Sequence, residues 1–252
     1  MYPDLFGISG FTMNVFVAIG VIAGCGVIFL YLKRFSLEKT TYIDLAITLI
    51  VTLILAFVFA IVFENIYESI KNAKLDRPQQ WTWSMTFYGG VIGGVLAFTV
   101  MYKFFFLRLN ETIINKLFVI VPGAISLGHA FGRLGCFFNG CCYGIETDKW
   151  FGILFPGFTH KVIPTQLFEM IFLMILGGIL LFFAFKCDCK WTMPIYLISY
   201  ALFRFIIEFY RGDERGQLGV LSPSQYISIV LFVLGLIFLY QYRKGSNKEK
   251  VE

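Results

Sequence analysis

Sixteen consecutive residues, His129-Ala-Phe-Gly-Arg133-Leu-Gly-Cys136-Phe-Phe-Asn139-Gly-Cys141-Cys142-Tyr143-Gly144, place a histidine, an arginine, an amide and three thiols directly after an apolar segment. A charge beside a bilayer-length apolar stretch is costly to bury, so Arg133 is a functional hypothesis from the outset. Its planar fork can make two parallel hydrogen bonds to a phosphate, which suits an anionic lipid headgroup. His129 and Arg133 are four apart and share a face wherever the segment is helical. His129 also titrates in the range useful to a general base. The glycines, down to Gly144, permit tight turns and close backbone approach, and Asn139 adds a donor and an acceptor. The plainer alternative for Arg133 is an anchor that extends its charge to the membrane surface.

Three further runs carry polar groups in apolar surroundings. Arg204-Phe-Ile-Ile-Glu208-Phe-Tyr-Arg211-Gly-Asp213 repeats charge at i, i+4 and i+7, which draws one polar stripe along an apolar helix. A structural Arg204–Glu208 ion pair is the alternative, and it leaves one positive charge over for an anion. Pro164-Thr-Gln166-Leu-Phe-Glu169 opens a helix at Pro164. Gln166 and Glu169 then lie three apart on one face at the membrane edge, where a capping arrangement is the competing role. In Tyr88-Gly89-Gly90-Val-Ile-Gly93-Gly94 the glycines let helices approach closely, and Tyr88 offers a hydroxyl to a polar site.

The six cysteines are too few and too clustered for a disulfide framework. Cys136, Cys141, Cys142 and His129 are numerous enough to bind a metal. Their spacing, however, lacks a C-x-x-C unit, and adjacent cysteines rarely both point at one ion. The expectation is therefore no metal and no cofactor, with a disulfide open if this face is oxidising. Cys187-Asp-Cys189 reads as inert. The chain has no phosphate loop, metalloprotease helix motif or nucleophile elbow.

The elements that must position these groups are membrane helices. Of the 252 residues 58% are hydrophobic and only 15% charged, with a mean hydropathy of +0.76. A soluble domain carries about a quarter charged residues. Seven stretches approach the roughly 20 apolar residues that a span requires: 12–32, 43–64, 83–107, 113–131, 165–186, 191–210 and 222–242. The fourth contains Pro122, Gly123 and Gly128 and is expected to be kinked or partly re-entrant. The expected fold class is an all-α integral membrane protein with about seven transmembrane helices and a polar site at the extracytoplasmic face. Residues 1–242 would form a single polytopic membrane domain and 243–252 a polar cytoplasmic tail.

Twelve of the 21 Lys and Arg fall in the segments 33–39, 103–116, 186–190 and 243–250. That asymmetry puts the N-terminus outside and the C-terminus in the cytoplasm. The connections 65–82, 132–164 and 211–221 then share the outer face with the motifs. The net charge of +5 is spread over short loops as a topology signal, so no nucleic-acid partner is expected. Ile22-Ala23-Gly24-Cys25 looks like a signal cleavage box. No Lys or Arg precedes it, however, and the apolar run continues to Leu32, so it reads as a membrane helix.

In order and spacing, the four runs resemble the bacterial prolipoprotein diacylglyceryl transferase family. The family signature, approximately G-R-x-G-N-F-x-N-x-E-x-x-G, aligns with Gly132 to Gly144, and its His-Gly-Gly aligns with Tyr88-Gly89-Gly90. Its Pro-x-Gln-Leu-Tyr-Glu aligns with Pro164 to Glu169, and its late Arg with the following Glu-Phe-x-Arg-x-x-Asp resembles Arg204 to Asp213. The resemblance implies seven helices in the bacterial cytoplasmic (inner or plasma) membrane, surrounded by membrane lipids. It implies transfer of the diacylglyceryl group of phosphatidylglycerol to the lipobox cysteine of a prolipoprotein signal peptide, with release of glycerol phosphate. It carries phosphate binding to Arg133, an essential role to Arg204, and site-lining roles to Asn139, Gly144 and Glu208.

The expected catalytic residues are thus Arg133, Arg204, His129 and Tyr88. The expected substrate-binding residues are Asn139, Gly144, Gly89, Gly90, Glu208, Arg211, Gln166 and Glu169. With Tyr88 in place of the family histidine, His129 is the better candidate base, because a phenol ordinarily titrates near about 10. Other departures are Cys136 for the signature Asn, Cys141 for the signature Glu, and Val15-Phe16-Val17 for an N-terminal Trp-Tyr-Gly. An arginine expected in the second helix is not evident between Phe59 and Tyr67. These changes admit two other readings. One is a divergent paralogue moving a phospholipid-derived group to another acceptor. The other is a non-catalytic lipid-binding protein or transporter, against which the lack of internal repeats argues.

Overall fold

The computed structural model describes residues 11–74, 78, 81, 86–105, 111–212 and 220–248. Seven α-helices run through them: α1 (Phe11–Leu32), α2 (Lys39–Lys74), α3 (Phe87–Val100), α4 (Glu111–Asn139), α5 (Thr165–Cys187), α6 (Thr192–Ile207) and α7 (Pro223–Lys248). A 3-10 turn, Lys33–Phe35, follows α1; a π-helical turn, Met101–Phe105, follows α3; and a second 3-10 turn, Glu208–Tyr210, follows α6. Six helices are long and apolar enough to cross a membrane, and Gly89–Lys103 is a shorter apolar helix. Each coincides with one of the seven stretches read from hydropathy. The protein is an all-α, multi-pass membrane protein.

Boundaries differ from expectation in informative places. α4 is one helix of 29 residues that runs through Pro122, so it is not re-entrant. It continues to Asn139, eight residues past the expected end, because the first part of the signature, Gly132 to Asn139, is helical. α2 has 36 residues, about 54 Å at 1.5 Å per residue, which exceeds the roughly 30 Å hydrocarbon core. α7 extends to Lys248, so the expected polar tail begins as helix.

The chain divides into two compact units, residues Met1–Arg34 with Asn115–Glu252, and residues Phe35–Ile114. In the first unit, small residues set the helix spacing. A Cβ at Gly20 of α1 would lie 2.6 Å from the Gly128 carbonyl oxygen of α4, and one at Gly24 would lie 3.3 Å from that of Ala124. Lipid is as apolar as the helices, so this close backbone approach supplies packing that a hydrophobic driving force cannot. The centre of the unit is a cluster of Ala130, Leu173, Leu176, Leu180, Tyr196 and Tyr200 from α4, α5 and α6. The rings of Phe172 and Phe203 stack at 4.1 Å across α5 and α6. Buried hydroxyls donate to backbone carbonyls, Ser126 to Leu173 and Thr192 to Val119, each at 2.8 Å. Ile22, Ile175 and Ile206 stay exposed, as lipid-facing side chains should.

One end of this unit is tied by charge. Asp188, in the left-handed conformation that ends α5, pairs with Lys116 and accepts from the Tyr31 hydroxyl. Arg34 donates to the Phe185 carbonyl at 2.6 Å. Lys116 lies roughly 20–25 Å along α4 from His129 and Arg133 at 1.5 Å per residue, so the candidate catalytic groups occupy the opposite end. In the second unit α3 packs on α2 through glycine, since a Cβ at Gly89 would lie 2.7 Å from the Phe63 Cβ and 2.8 Å from the Phe59 carbonyl oxygen.

The α1–α4 contact yields a test in which intrinsic propensity and packing oppose each other. Ala favours a helix interior over Gly by about 1 kcal/mol, and no atom lies within 4 Å of a Cβ built at Gly26. Gly26→Ala should leave the melting temperature of the detergent-solubilised protein unchanged or raised. Gly20→Ala should lower it, because relieving the clash costs about 1–3 kcal/mol. Equal shifts of the same sign would show that α1 and α4 are not in backbone contact.

Candidate active site

The first two turns of α5 organise the site. Pro164 stands just before the helix, at its N-cap position, and Thr165 is the first helical residue. Thr165, Gln166 and Glu169 recur at helical spacing on one face, and all three are fully buried. The Thr165 hydroxyl donates to the Cys142 carbonyl at 2.8 Å and the Gln166 amide to the Cys141 carbonyl at 2.5 Å. The first turn thus clamps the cysteine loop, while the second presents the carboxylate of Glu169.

Groups from two other helices converge on that carboxylate. Arg133 approaches through Nε, 3.1 Å from Oε2. Arg204 has Nη1 4.0 Å from the same oxygen. His129 places Nε2 3.8 Å from Oε1, and the Tyr200 hydroxyl donates to Oε1 at 3.0 Å. Arg204 in turn holds Glu208, Nη2 to Oε2 at 2.6 Å, and donates to the Ser224 hydroxyl at 3.0 Å. Two guanidiniums therefore face two carboxylates. Buried charges are tolerable when opposite charges match them, as the two pairs do here.

The structure brings together His129, Arg133, Glu169, Arg204 and Glu208, five residues drawn from three separate runs of sequence. Tyr200 and Ser224 belong to the same network and were missed. Tyr200 had a signal, since it lies one turn before Arg204 on the stripe that continues to Glu208; its ring also meets His129 edge-on at 5.4 Å. Ser224, in the first turn of α7, had none. Gln166 turns out to hold backbone and to face the loop.

The stripe through Arg211 needs correction. α6 ends at Ile207, a 3-10 turn follows, and Arg211 is extended, with φ −81° and ψ 139°. It is not a third rung of a helical ladder. Arg211 instead pairs as an antiparallel bridge with Gly144. Gly144 donates to the Ile163 carbonyl at 2.8 Å, and Gly212 donates to that of Tyr143 at 3.2 Å. A Cβ on Gly144 would lie 2.5 Å from the Tyr210 carbonyl oxygen. Glycine is required there so that three segments can meet.

Between α4 and α5 the loop rests on its own aromatic side chains, with Phe155 buried and the Tyr143 and Phe158 rings edge-on at 4.7 Å. Its thiols are closer than the sequence suggested. The sulphurs of Cys136, Cys141 and Cys142 all lie within 4.8 Å of one another. Adjacent side chains normally diverge, but Cys142 has a left-handed backbone, φ 67°, and Gly140 precedes it at φ 71°, which turns both thiols to one side. Hydrogen bonds from the Cys136 and Cys141 thiols, with the charges of Arg211 and Arg133, hold the Cys142 thiol well below its ordinary range. Cys141 is shifted up: its bond with Cys136 lowers it, but its bond with Cys142 and burial outweigh that. Asn139, the last residue of α4, also bonds to Cys141.

The remaining residues stand elsewhere. Gly89 and Gly90 lie in α3 of the second unit and face α2. The side chain of Tyr88 and residue Asp213 lie outside the described residues.

A sequence model described as prolipoprotein diacylglyceryl transferase matches residues 3–241. The chain is 38% identical over 169 residues to phosphatidylglycerol–prolipoprotein diacylglyceryl transferase 2 of Clostridium perfringens, covering 65% of this chain and 64% of that one. It is 29% identical over 243 residues to the phosphatidylglycerol–prolipoprotein diacylglyceryl transferase of Clostridium tetani, covering 92% and 93%. The enzyme of that name from Finegoldia magna is 30% identical over 252 residues, covering 97% and 96%. The chain belongs to the prolipoprotein diacylglyceryl transferase family.

The network makes a graded stability prediction. Glu169→Ala leaves two buried guanidiniums facing one carboxylate and should cost about 3–5 kcal/mol. Tyr200→Phe removes one hydrogen bond and should cost about 1–2 kcal/mol. Thermal unfolding in detergent would order the variants, and a Glu169→Ala protein as stable as the parent would show that the carboxylate does not hold the arginines.

Proposed function

We propose that this member of the family transfers the diacylglyceryl group of phosphatidylglycerol to the lipobox cysteine thiol of a prolipoprotein. The reaction takes place at the extracytoplasmic face of a bacterial cytoplasmic membrane. The observation that carries the reading is the convergence of Arg133 and Arg204, from two separate motifs, on the single buried carboxylate of Glu169. The relatives' names supply the donor and the acceptor class. The asymmetry of Lys and Arg supports an outside N-terminus, and the Lys116–Asp188 end then faces the cytoplasm.

The reaction forms a carbon–sulphur bond at the glyceryl carbon and breaks the carbon–oxygen bond to phosphate. The acceptor thiol gives up its proton and glycerol phosphate leaves. Charge grows on the leaving phosphate as the bond breaks, and the arginines are donors already in place for it. Arg133 meets Glu169 through Nε, which leaves the fork of its two Nη groups on the other edge for a phosphate. Because Glu169 and Glu208 balance the guanidiniums beforehand, the resting diester gains little, and the donors act chiefly on the additional charge of the transition state. His129, oriented against Glu169 and edge-on to Tyr200, serves as the base. Asn139 and the loop held by Gly144 line the approach.

A second reading has one observation in its favour. The converging thiols of Cys136 and Cys141 occupy positions where the family pattern has Asn and Glu, which favours a paralogue that transfers a phospholipid-derived group to another acceptor.

Arg133→Ala and Arg204→Ala should each lower transfer from phosphatidylglycerol to a lipobox peptide by at least about 10²-fold, with membrane insertion retained. Arg133→Lys, which keeps the charge but loses the fork, should recover only part of the rate. Undiminished transfer in both alanine variants would refute the mechanism. Expression in a transferase-depleted bacterium separates the readings. Rescue supports the lipobox acceptor, no rescue with consumption of phosphatidylglycerol supports the paralogue, and neither supports a non-catalytic role.

A further inference from the structure

The three thiols beside the ion network have no part in that chemistry. Their geometry nevertheless has specific chemical content. Cys136 comes from the last turn of α4, and Cys141 and Cys142 come from the loop that follows. Their sulphurs lie within 4.8 Å of one another. Three thiolates around one ion at about 2.3 Å stand about 3.8–4.0 Å apart, whether the site is tetrahedral or trigonal. The observed separations allow that arrangement with sub-ångström adjustment. A disulfide would bring two sulphurs to about 2.0 Å and leave the third without a role.

The triangle is built into the backbone. The Cys141 amide donates to the Cys136 carbonyl at 3.2 Å. The carbonyls of Cys141 and Cys142 are held by Gln166 and Thr165, both fully buried. The left-handed φ of Cys142 turns consecutive side chains to the same side. The clamp and the left-handed backbone at Cys142 together hold the three side chains in this arrangement.

We propose that Cys136, Cys141 and Cys142 form a three-thiolate site for one zinc-group divalent cation. A divalent ion with three thiolates carries one net negative charge, and the positive charges of Arg133 and Arg211 already act on Cys142. A tetrahedral ion held by three protein ligands keeps its fourth position open. The site requires only the end of α4 and the loop after it, so it stands independently of the transferase reading.

The test uses the full-length protein in detergent, purified reduced and metal-free. Cd(II) alone should bind at one equivalent per chain with a thiolate-to-metal charge-transfer absorption. Each of Cys136→Ser, Cys141→Ser and Cys142→Ser should weaken binding at least about tenfold through loss of one metal–sulphur bond. The variant with Cys25, Cys187 and Cys189 all replaced by Ser should bind as the parent does. X-ray absorption of the Zn(II)-loaded parent should count three sulphur neighbours at about 2.3 Å, which reads the site without relying on a variant that folds. Two or fewer sulphur neighbours, binding that survives in the single-serine variants, or binding that disappears with the other three cysteines would overturn the proposal. So would a disulfide among these three cysteines with no metal bound in protein isolated from membranes.

Discussion

A carboxylate with no exposed surface is tenable inside a membrane bundle only if cations come to it. Glu169 is such a group, and much of the first unit can be derived from its needs. It sits one turn into α5. Arg133 must reach it from α4 and Arg204 from α6, and the second guanidinium needs Glu208 to complete its own pairing. Tyr200 fills the remaining acceptor position on Oε1. Three helices are thereby fixed in rotation as well as spacing. Apolar packing in lipid does not specify rotation well, because a leucine facing lipid and one facing a neighbour differ little in free energy.

The same constraint separates the two ends of the bundle. At one end Asp188 gathers Lys116 and Tyr31, and Arg34 holds the nearby Phe185 carbonyl. At the other, Glu169 gathers two arginines and a histidine. Between them the contacts are aliphatic and aromatic, with hydroxyls donating to carbonyls. Polar interactions thus pin α4, α5 and their neighbours at two levels. The glycines at 20, 24 and 128 let α1 lie against α4 without wedging those levels apart. α5 takes part in both, since its N-terminal turns carry Glu169 and its left-handed end carries Asp188.

What the sequence disclosed follows from where each signal originates. Helix existence was legible because seven apolar runs of bilayer length have few alternatives in lipid. The membership of His129, Arg133, Glu169, Arg204 and Glu208 in a site was legible as polar spacing in apolar surroundings, and the family resemblance joined the runs. The end of α4 was not legible. The glycines and cysteines of the signature read as loop, whereas membrane-level packing keeps them helical to Asn139. Arg211 failed for the opposite reason: its i+7 position suits a helix, but backbone pairing with Gly144 pulls the chain into an extended course. Tyr200 lies one turn before Arg204 on the same stripe, but spacing alone does not tell a tyrosine that bonds a carboxylate from one that only fills space. The orientation of Cys142 depends on a positive φ at a non-glycine residue, which spacing rules exclude by default.

That last failure bears on how a transferase scaffold came to hold a cluster of thiols. In the family pattern, the positions of Cys136 and Cys141 belong to Asn and Glu. The α4 terminus and the loop already turn those two side chains toward one another, because the Cys141 amide closes onto the Cys136 carbonyl across a single turn. Exchanging an amide and a carboxylate for thiols therefore asks nothing new of the backbone. Cys142 adds the third sulphur only because Thr165 and Gln166, whose turn of α5 also precedes Glu169, hold the loop carbonyls in place. The clamp that shapes the thiol cluster and the carboxylate that holds the arginines are consecutive turns of one helix. The loop and the ion network are thus joined through a single helical turn of α5.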